Sequence, residues 1–478
     1  MIRMNILLAI LLIACTTSCK KDKKLSPEEE FLIALENMSE QNKVKQFIFD
    51  GMSLYYRWNK DFPASSNPIE QPYKYFMRGL NENDRKHEWS FITNDVQKLM
   101  DFFSGEQKDF GYSVDILQKS NDELVAAVQY VFPGSPAAQA GLKRGDIIHK
   151  IGSEKLNKEN KYKLLFQDQP LRISYTRKNG AMRETELTPV KMPHNPVLCD
   201  TVFEVEGKKI AYLFYTGYIN NFNSELLKAF KKFKAGNATE LILDIRYNSG
   251  GSIASAAYLV SLMVPAKLAD KKTVLARLDY NTEINQLFDI RKWERETRLT
   301  DTLMAGNLNL DKIHVIATRD SYSASELTIH GLKAHMNENI VHIGEKTGGK
   351  YTASWTIHPY DDNIGIPVYD KRKFERVLSC IKNWAMQPIV AIYTDANNKD
   401  FSKDDGLLPN IPVNSREDDP NSWVPIGDKT DYLIAEAIAA ITGKKSKATA
   451  IPASSSEFKR TGLNSASINA LNRSVWIK

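Results

Sequence analysis

Apolar and polar positions fall into distinct regimes along the chain. Residues 6–14 form an unbroken apolar run behind a basic residue, Arg3; the run is short for a bilayer span and has the shape of a secretory h-region. From Pro27 to about residue 104, large apolar residues recur at helical spacing: Phe47, Phe49, Leu54, Tyr55 and Trp58, then Tyr73, Phe76 and Leu80. Pro63, Pro68 and Pro72 interrupt them. Residues 110–189 change to short β-like runs, YSVDIL, LVAAVQYVF, DIIHKI and LRISYTR, separated by turns. Residues 195–425 alternate strand runs (KIAYLFY, ELILDIRY, KIHVIATR, NIVHIGE, QPIVAIYT) with helical patterns from Asn223 to Lys234 and from Ser323 to Met336, which predicts an α/β layer fold. Asp431 to Thr442 reads as a closing helix. Beyond Gly443 the chain is rich in Ser, Ala and Lys without periodicity and reads as disordered.

The pattern thus predicts a multidomain α/β protein: a targeting segment 1–18, a linker 19–27, a helical domain 28–105, a β-rich domain 108–192, an α/β domain 195–443 and an unstructured tail 444–478. A length of 478 residues provides for several cores, and 26% charged residues against 42% hydrophobic ones excludes a wholly disordered chain. The 64 basic and 58 acidic residues are interspersed, so the net charge of +6 does not argue for nucleic acid as a partner. Beyond residue 19 only Cys199 and Cys380 remain. No CxxC or Cys/His metal spacing occurs, and the two read as separate core thiols.

The N-terminal segment resembles a bacterial lipoprotein signal, which implies lipidation of a cysteine. Leu12-Ile13-Ala14-Cys15 fits the usual lipobox by letter, whereas Cys19 leaves a fuller apolar run and precedes the charged stretch KKDKK. The reading takes Cys19, with Cys15 as the alternative. It implies an exported protein, lipid-anchored to a membrane and facing the periplasm or cell surface.

Three segments of the α/β region carry candidate chemistry. In LILDIRYNSGGSIASA, residues 241–256, an apolar strand runs into paired glycines and a small-residue helix; backbone N–H groups at such a turn suit an anion or a developing oxyanion. In TRDSYSASELTIHGLKAH, residues 318–335, a strand delivers small hydroxyl residues to a helix start. That is the setting a serine nucleophile needs, although taken alone the serines before Glu326 read as a capping box. In HIGEKTGGKYTASWTI, residues 342–357, Gly344 to Lys350 spells G-x-x-x-x-G-K. Tyr351 stands where a P-loop needs Ser or Thr, and the β-branched, aromatic residues that follow do not predict a helix, so a nucleotide site is not expected.

Upstream, VFPGSPAAQAGLKRGDIIHKIGSEKL places Pro136 at a helix start, Gly141 after a short Ala-rich helix and Gly145-Asp146 before an apolar strand. This segment resembles a PDZ domain. The resemblance implies that Phe110, Gly111, Tyr112 and Ser113 form a loop whose backbone captures a peptide's terminal carboxylate while the peptide adds as a strand. The three chemical segments together resemble the C-terminal processing, or tail-specific, serine peptidases of family S41, with a ClpP/crotonase-like core. The matching residues are Asp244, Arg246, Asn248, Gly250 and Gly251; then Ser321, Ser323, Ser325 and Glu326; then Gly344, Glu345, Thr347, Gly349 and Lys350. The stretch 384–413 resembles the family's closing hairpin.

That resemblance implies Ser323 as nucleophile, Lys350 as general base, and an oxyanion hole built from the backbone N–H of Ala324 and of Gly250 or Gly251. Many members place a Gln four residues after the lysine; here that position is Ser354, the candidate third member, unless the dyad works without one. The implied chemistry is coherent. A serine hydroxyl needs a base, and burial of a lysine disfavours its charged form. None of the eight histidines sits beside these motifs in an obvious triad role; His330 is two helical turns past Ser323. The expected partners are polypeptides, through their C-termini or unfolded segments, and a membrane; no cofactor or metal is expected. The alternatives are a catalytically degenerate peptide-binding lipoprotein and a self-processing or tricorn-like peptidase with another relay. Oligomeric state is not legible.

Overall fold

A computed structural model describes residues 25–64, 67–166, 169–178, 180–360, 366–414, 416–446 and 457–465. Cys15 and Cys19, and with them the targeting segment, lie outside the described residues. The chain divides into two compact units.

The first unit spans residues up to Val96 together with Ser354–Val390. Its helices Pro27–Glu36, Glu40–Tyr55, Pro72–Gly79 and Glu82–His87 follow the periodicity of the sequence. Ser26 and Glu29 form a reciprocal capping box at the first, with Pro27 in the first turn, where its missing N–H costs nothing. The region is not a self-sufficient helical domain, however. It includes a four-stranded sheet in the order Phe91–Thr93, Ala385–Gln387, Ile357–Tyr360, Ile366–Tyr369, three of whose strands come from residues expected in the α/β domain. The physical reason is the face Phe47, Ile48 and Met52 on Glu40–Tyr55, which is buried and needs an apolar partner. Gly51 permits that approach: a Cβ there would fall 2.4 Å from Met386 Cε.

The second unit holds two larger sheets. The first is antiparallel along its main path and runs Phe458–Asn464, Tyr112–Lys119, Leu124–Val131, Ile147–Ile151, Leu171–Thr176, Met182–Leu187. Its apolar core gathers Phe110, Val114, Ile116, Val128, Ile148 and Ile173. The short helix Pro136–Gln139 is capped by Ser135, whose hydroxyl accepts from Ala138 N. The outermost strand, Phe458–Asn464, corrects the expectation of a structureless tail for those residues. Its apolar residues are few and lack a clear period, but Phe458 and Leu463 are both buried in the structure.

The other sheet has six strands in the order Val197–Val205, Lys208–Tyr215, Glu240–Asp244, Ile313–Ala317, Ile340–Gly344, Ile411–Pro412. The first pair is antiparallel and the rest parallel. The central strands are buried along their length, which is why they appear in the sequence as nearly continuous apolar runs. Helix Tyr432–Thr442 covers this sheet with Leu433, Ile434, Ala437 and Ile441. Helices Asn223–Ala235, Ile253–Met263 and Ala324–Met336 pack beside one another. Residues 384–413 do not form one hairpin. Ala385–Gln387 pairs with Phe91–Thr93, Ile389–Thr394 with Val274–Tyr280, and Ile411–Pro412 with Ile340–Gly344, because the three short strands complete three different sheets. Both described cysteines are free thiols; Cys199 is half-buried, but Cys380 is exposed, so only the former touches a core.

A buried ionic cluster ties the parallel strands to the closing helix. The Arg246 guanidinium donates to Asp244 Oδ2 at 2.7 Å, to Asp431 Oδ1 at 2.8 Å and to Glu417 Oε1 at 3.2 Å. Asp431 Oδ1 also caps the helix by accepting from Leu433 N at 3.0 Å. Each charge has an opposite neighbour and further hydrogen bonds, the condition under which buried ions are tolerated.

Candidate active site

The strand Ile313–Ala317 ends in a turn whose hydroxyl groups are assigned one by one. Thr318 Oγ1 donates to Arg246 O at 2.5 Å, Ser321 Oγ to Ile245 O at 2.8 Å and Ser325 Oγ to Asn248 O at 2.8 Å. Tyr322 N–H also reaches Asn248 O, at 3.1 Å. The hydroxyl cluster of the sequence is therefore largely a zipper between residues 318–325 and the glycine turn 245–251. Ser321 and Ser325 are buried, whereas Ser323 is half-buried.

Ser323 forms a capping box with Glu326, as the sequence suggests, and differs from its neighbours in its backbone. Its φ of +54° and ψ of −113° place a non-glycine residue in a strained conformation at the start of helix Ala324–Met336. Such an elbow presents a serine side chain outward, next to the positive end of a helix. Gly250, with φ +107°, lies directly against it: a Cβ at Gly250 would fall 2.7 Å from Ser323 Cβ and 3.0 Å from Ala324 N. Asn248 fixes this turn by donating to Tyr215 O at 3.0 Å and accepting the Gly250 N–H at 2.9 Å. Gly251, with φ +132°, abuts Tyr218, where a Cβ would come within 2.3 Å of the carbonyl oxygen.

Lys350 follows the strand Ile340–Gly344 and is buried, with 6% of its surface exposed. Its loop folds over the serine turn. Gly348 N–H donates to Ser321 O at 3.1 Å, and a Cβ on Gly348 would strike the Tyr322 ring. The backbones of Ser323 and Lys350 share two partners. Glu326 Oε2 accepts the Ser323 N–H at 2.9 Å and the Lys350 N–H at 2.8 Å; its other oxygen accepts Thr347 Oγ1 at 2.6 Å and Gly349 N at 2.7 Å. Tyr393 Oη lies 3.1 Å from Ser323 O and 2.7 Å from Lys350 O. Burial pushes the Glu326 carboxyl up, and the four donors pull against that. The sequence flagged Glu326 only as part of a motif, and nothing in it marked Tyr393, which lies in an ordinary apolar strand. After Lys350 the chain enters the strand Thr352–Ser354 rather than a helix, so the G-x-x-x-x-G-K spelling is not a P-loop.

Ser354 belongs to the first unit, where its Oγ accepts from Gln387 Nε2 at 3.1 Å. His330 turns to Lys399 O, 2.8 Å from Nε2, and His358 lies between the carbonyls of Tyr360 and Lys382. In the loop from Phe110 to Ser113, Gly111 adopts φ +75° and packs on Ser135, where a Cβ would come within 2.1 Å. Gly111 N–H donates to Asp109 Oδ1 at 2.8 Å, while Phe110, Tyr112 and Ser113 are buried, Tyr112 Oη donating to Leu164 O and Ser113 Oγ to Gln129 Oε1.

Residues 209–413 match the model of peptidase family S41. The chain is 24% identical over 312 residues to a Staphylococcus aureus (strain MRSA252) protein named "Probable CtpA-like serine protease", covering 61% of this chain and 58% of that one. It is 25% identical over 256 residues to "Carboxy-terminal processing protease CtpA" of Bacillus subtilis (strain 168), covering 53% of this chain and 49% of that one. The chain thus spans about half the length of these curated relatives. Among solved structures, one from Bacteroides fragilis NCTC 9343, described as of the S41 protease type, superposes with a TM-score of 0.63 at 24% identity, over 83% of this chain and 97% of that one. At that identity the likeness is one of fold.

Proposed function

Because the chain carries a peptidase family S41 domain, we propose that it is a serine-type endopeptidase that cleaves polypeptides through an acyl-enzyme on Ser323, with Lys350 as general base. The observation that carries the reading is the strained elbow at Ser323, set between hydroxyls committed to carbonyls and tied by its backbone through Glu326 and Tyr393 to that of Lys350. Neutral Lys350 takes the proton as Ser323 Oγ attacks the scissile carbonyl, then passes it to the leaving amine; water repeats the sequence on the ester. The developing oxyanion lies against Ala324 N–H and a glycine N–H. Gly250 already donates to Asn248 Oδ1, which favours Gly251 as the glycine donor.

In the same reading the sheet of residues 108–192 is a PDZ domain that receives polypeptides by strand addition at Phe110, Gly111, Tyr112 and Ser113. The protein is exported and held to a membrane by a lipid on Cys19. Support for the PDZ assignment comes from the left-handed Gly111 turn ahead of Tyr112–Lys119 and from the capped Pro136–Gln139 helix. Purified protein incubated with a reduced, alkylated unfolded polypeptide should yield fragments, and Ser323→Ala should yield none. Equal cleavage by both, or by neither while each remains folded, rejects the reading.

A further inference from the structure

The strand Phe458–Asn464 lies at the outer edge of the antiparallel sheet, against Tyr112–Lys119. It pairs antiparallel, Phe458 with Lys119 and Arg460 with Leu117, then after a shift Asn464 with Asp115. The pairing extends on both sides: Ser120 N donates to Glu457 O and Ser465 N to Val114 O, each at 2.9 Å. The strand therefore runs toward the Phe110–Ser113 turn. Without it, Tyr112–Lys119 would be an open edge, the surface on which strand addition occurs. A segment of this chain already occupies the position a captured polypeptide would take.

Its fit has three parts. Leu463, 3% exposed, enters the apolar cluster of Phe110, Tyr112, Val114 and Leu164. Arg460 is buried between two carboxylates, donating from Nε to Asp115 Oδ2 at 2.6 Å and from Nη2 to Asp320 Oδ2. Asn464 Nδ2 adds a bond to Asp320 Oδ1 at 2.9 Å. Asp320 lies three residues before Ser323 in the turn already described. The occupant is also an imperfect one. Gly462, at φ +76°, accompanies the shift in register, so the ladder is interrupted. Arg460 Nη1 and Asp115 Oδ1 are buried without a hydrogen-bond partner among the described residues.

We propose that residues 458–465 are a tethered ligand of the Tyr112–Lys119 edge, displaced by polypeptides of matching chemistry: an extended segment bearing a cation and, three residues further on, a branched aliphatic side chain. The cation requirement follows from Asp115 and Asp320, which lose their shared counter-ion when the strand leaves. Exchange of one strand for another is felt at the nucleophile's turn through Asp320. The proposal rests on the polypeptide-capture reading above, but its test reads binding and not cleavage, so the two stand or fall separately.

The probe is a fluorescently labelled synthetic peptide with the sequence of residues 457–465, EFKRTGLNS. Fluorescence polarisation measures its binding to the full Ser323→Ala chain and to the same chain ended after residue 456. A tethered competitor acts at an effective concentration of up to about millimolar, so the shortened chain should bind the peptide at least about tenfold more tightly than the full chain. Replacing the peptide's arginine by glutamate, or its leucine by aspartate, should abolish binding. Equal affinity for both chains, or no binding by a folded shortened chain, overturns the proposal. Should the shortened chain not fold alone, the full-length Leu463→Asp variant takes its place with the same expected tenfold gain. No gain there identifies the strand as a permanent part of the sheet and overturns the proposal.

Discussion

Glu326 holds Lys350 by its backbone, one carboxylate oxygen accepting the Lys350 N–H at 2.8 Å. The same oxygen accepts the Ser323 N–H at 2.9 Å, so a single buried group spans the two segments that carry the proposed dyad. Glu326→Gln retains shape but turns an NH2 toward N–H donors. It should lower kcat on an unfolded polypeptide by about 10²-fold, the scale of loss from misplacing a reacting group. Stability should fall by roughly 1–3 kcal/mol for the donors left unpaired. Steady-state kinetics beside a thermal melt separates the two effects; an unchanged kcat in a destabilised variant would make Glu326 purely structural.

Lys350 offers the sharpest test of the chemistry. Lys350→Arg keeps the charge but cannot deprotonate in the accessible range, so it should fail as completely as Lys350→Ala, by on the order of 10³-fold. The Ser323→Ala, Lys350→Ala double variant should be little worse than either single one, because the pair acts as a unit. Near-normal cleavage by folded Lys350→Arg protein would end the assignment of Lys350 as the base.

Gly250 supports Ser323 by lacking a side chain. Gly250→Ala would put a methyl group 2.7 Å from Ser323 Cβ and 2.9 Å from Tyr322 O, on a backbone at φ +107°. Activity should drop by about 10²-fold and stability by more than about 1 kcal/mol. Gly207→Ala is the control: φ is +74° but no atom lies within 4 Å, so it should cost stability and leave cleavage rates alone.

His314 and His342 sit in neighbouring parallel strands, and burial lowers both to about 4, assisted at His314 by Lys312 and at His342 by Lys333. Their folded values lie below the unfolded 6.5. The stability they contribute is thus present above pH 6.5 and lost as pH falls toward 4, by up to about 3 kcal/mol for each. Urea unfolding at pH 7.5 and pH 4.5 should show this loss in the parent, and it should shrink in His342→Leu. An equal loss in the variant would assign the acid sensitivity elsewhere.

Much of this molecule is legible in the chain alone, for a physical reason. Strands buried on both faces must be apolar throughout, so Glu240–Asp244, Ile313–Ala317 and Ile340–Gly344 were readable as runs, and helix Asn223–Ala235 as a 3.6-residue period. The three polar segments after those strands were equally visible, because glycines and small hydroxyl residues cluster where backbones must approach closely. Tertiary structure alone decided what depended on distant partners. Residue type alone does not distinguish Ser321, Ser323 and Ser325; the resemblance points to Ser323, and only the folded chain shows the outer two engaged by the carbonyls of Ile245 and Asn248. Periodicity does not link the helices of residues 27–87 to strands beyond residue 354, since that pairing answers an apolar face and no local signal. Nor does it announce Phe458–Asn464 as a strand, whose ordering comes from Asp115, some 345 residues away, from Asp320, and from an apolar cluster that exists only once the sheet has folded.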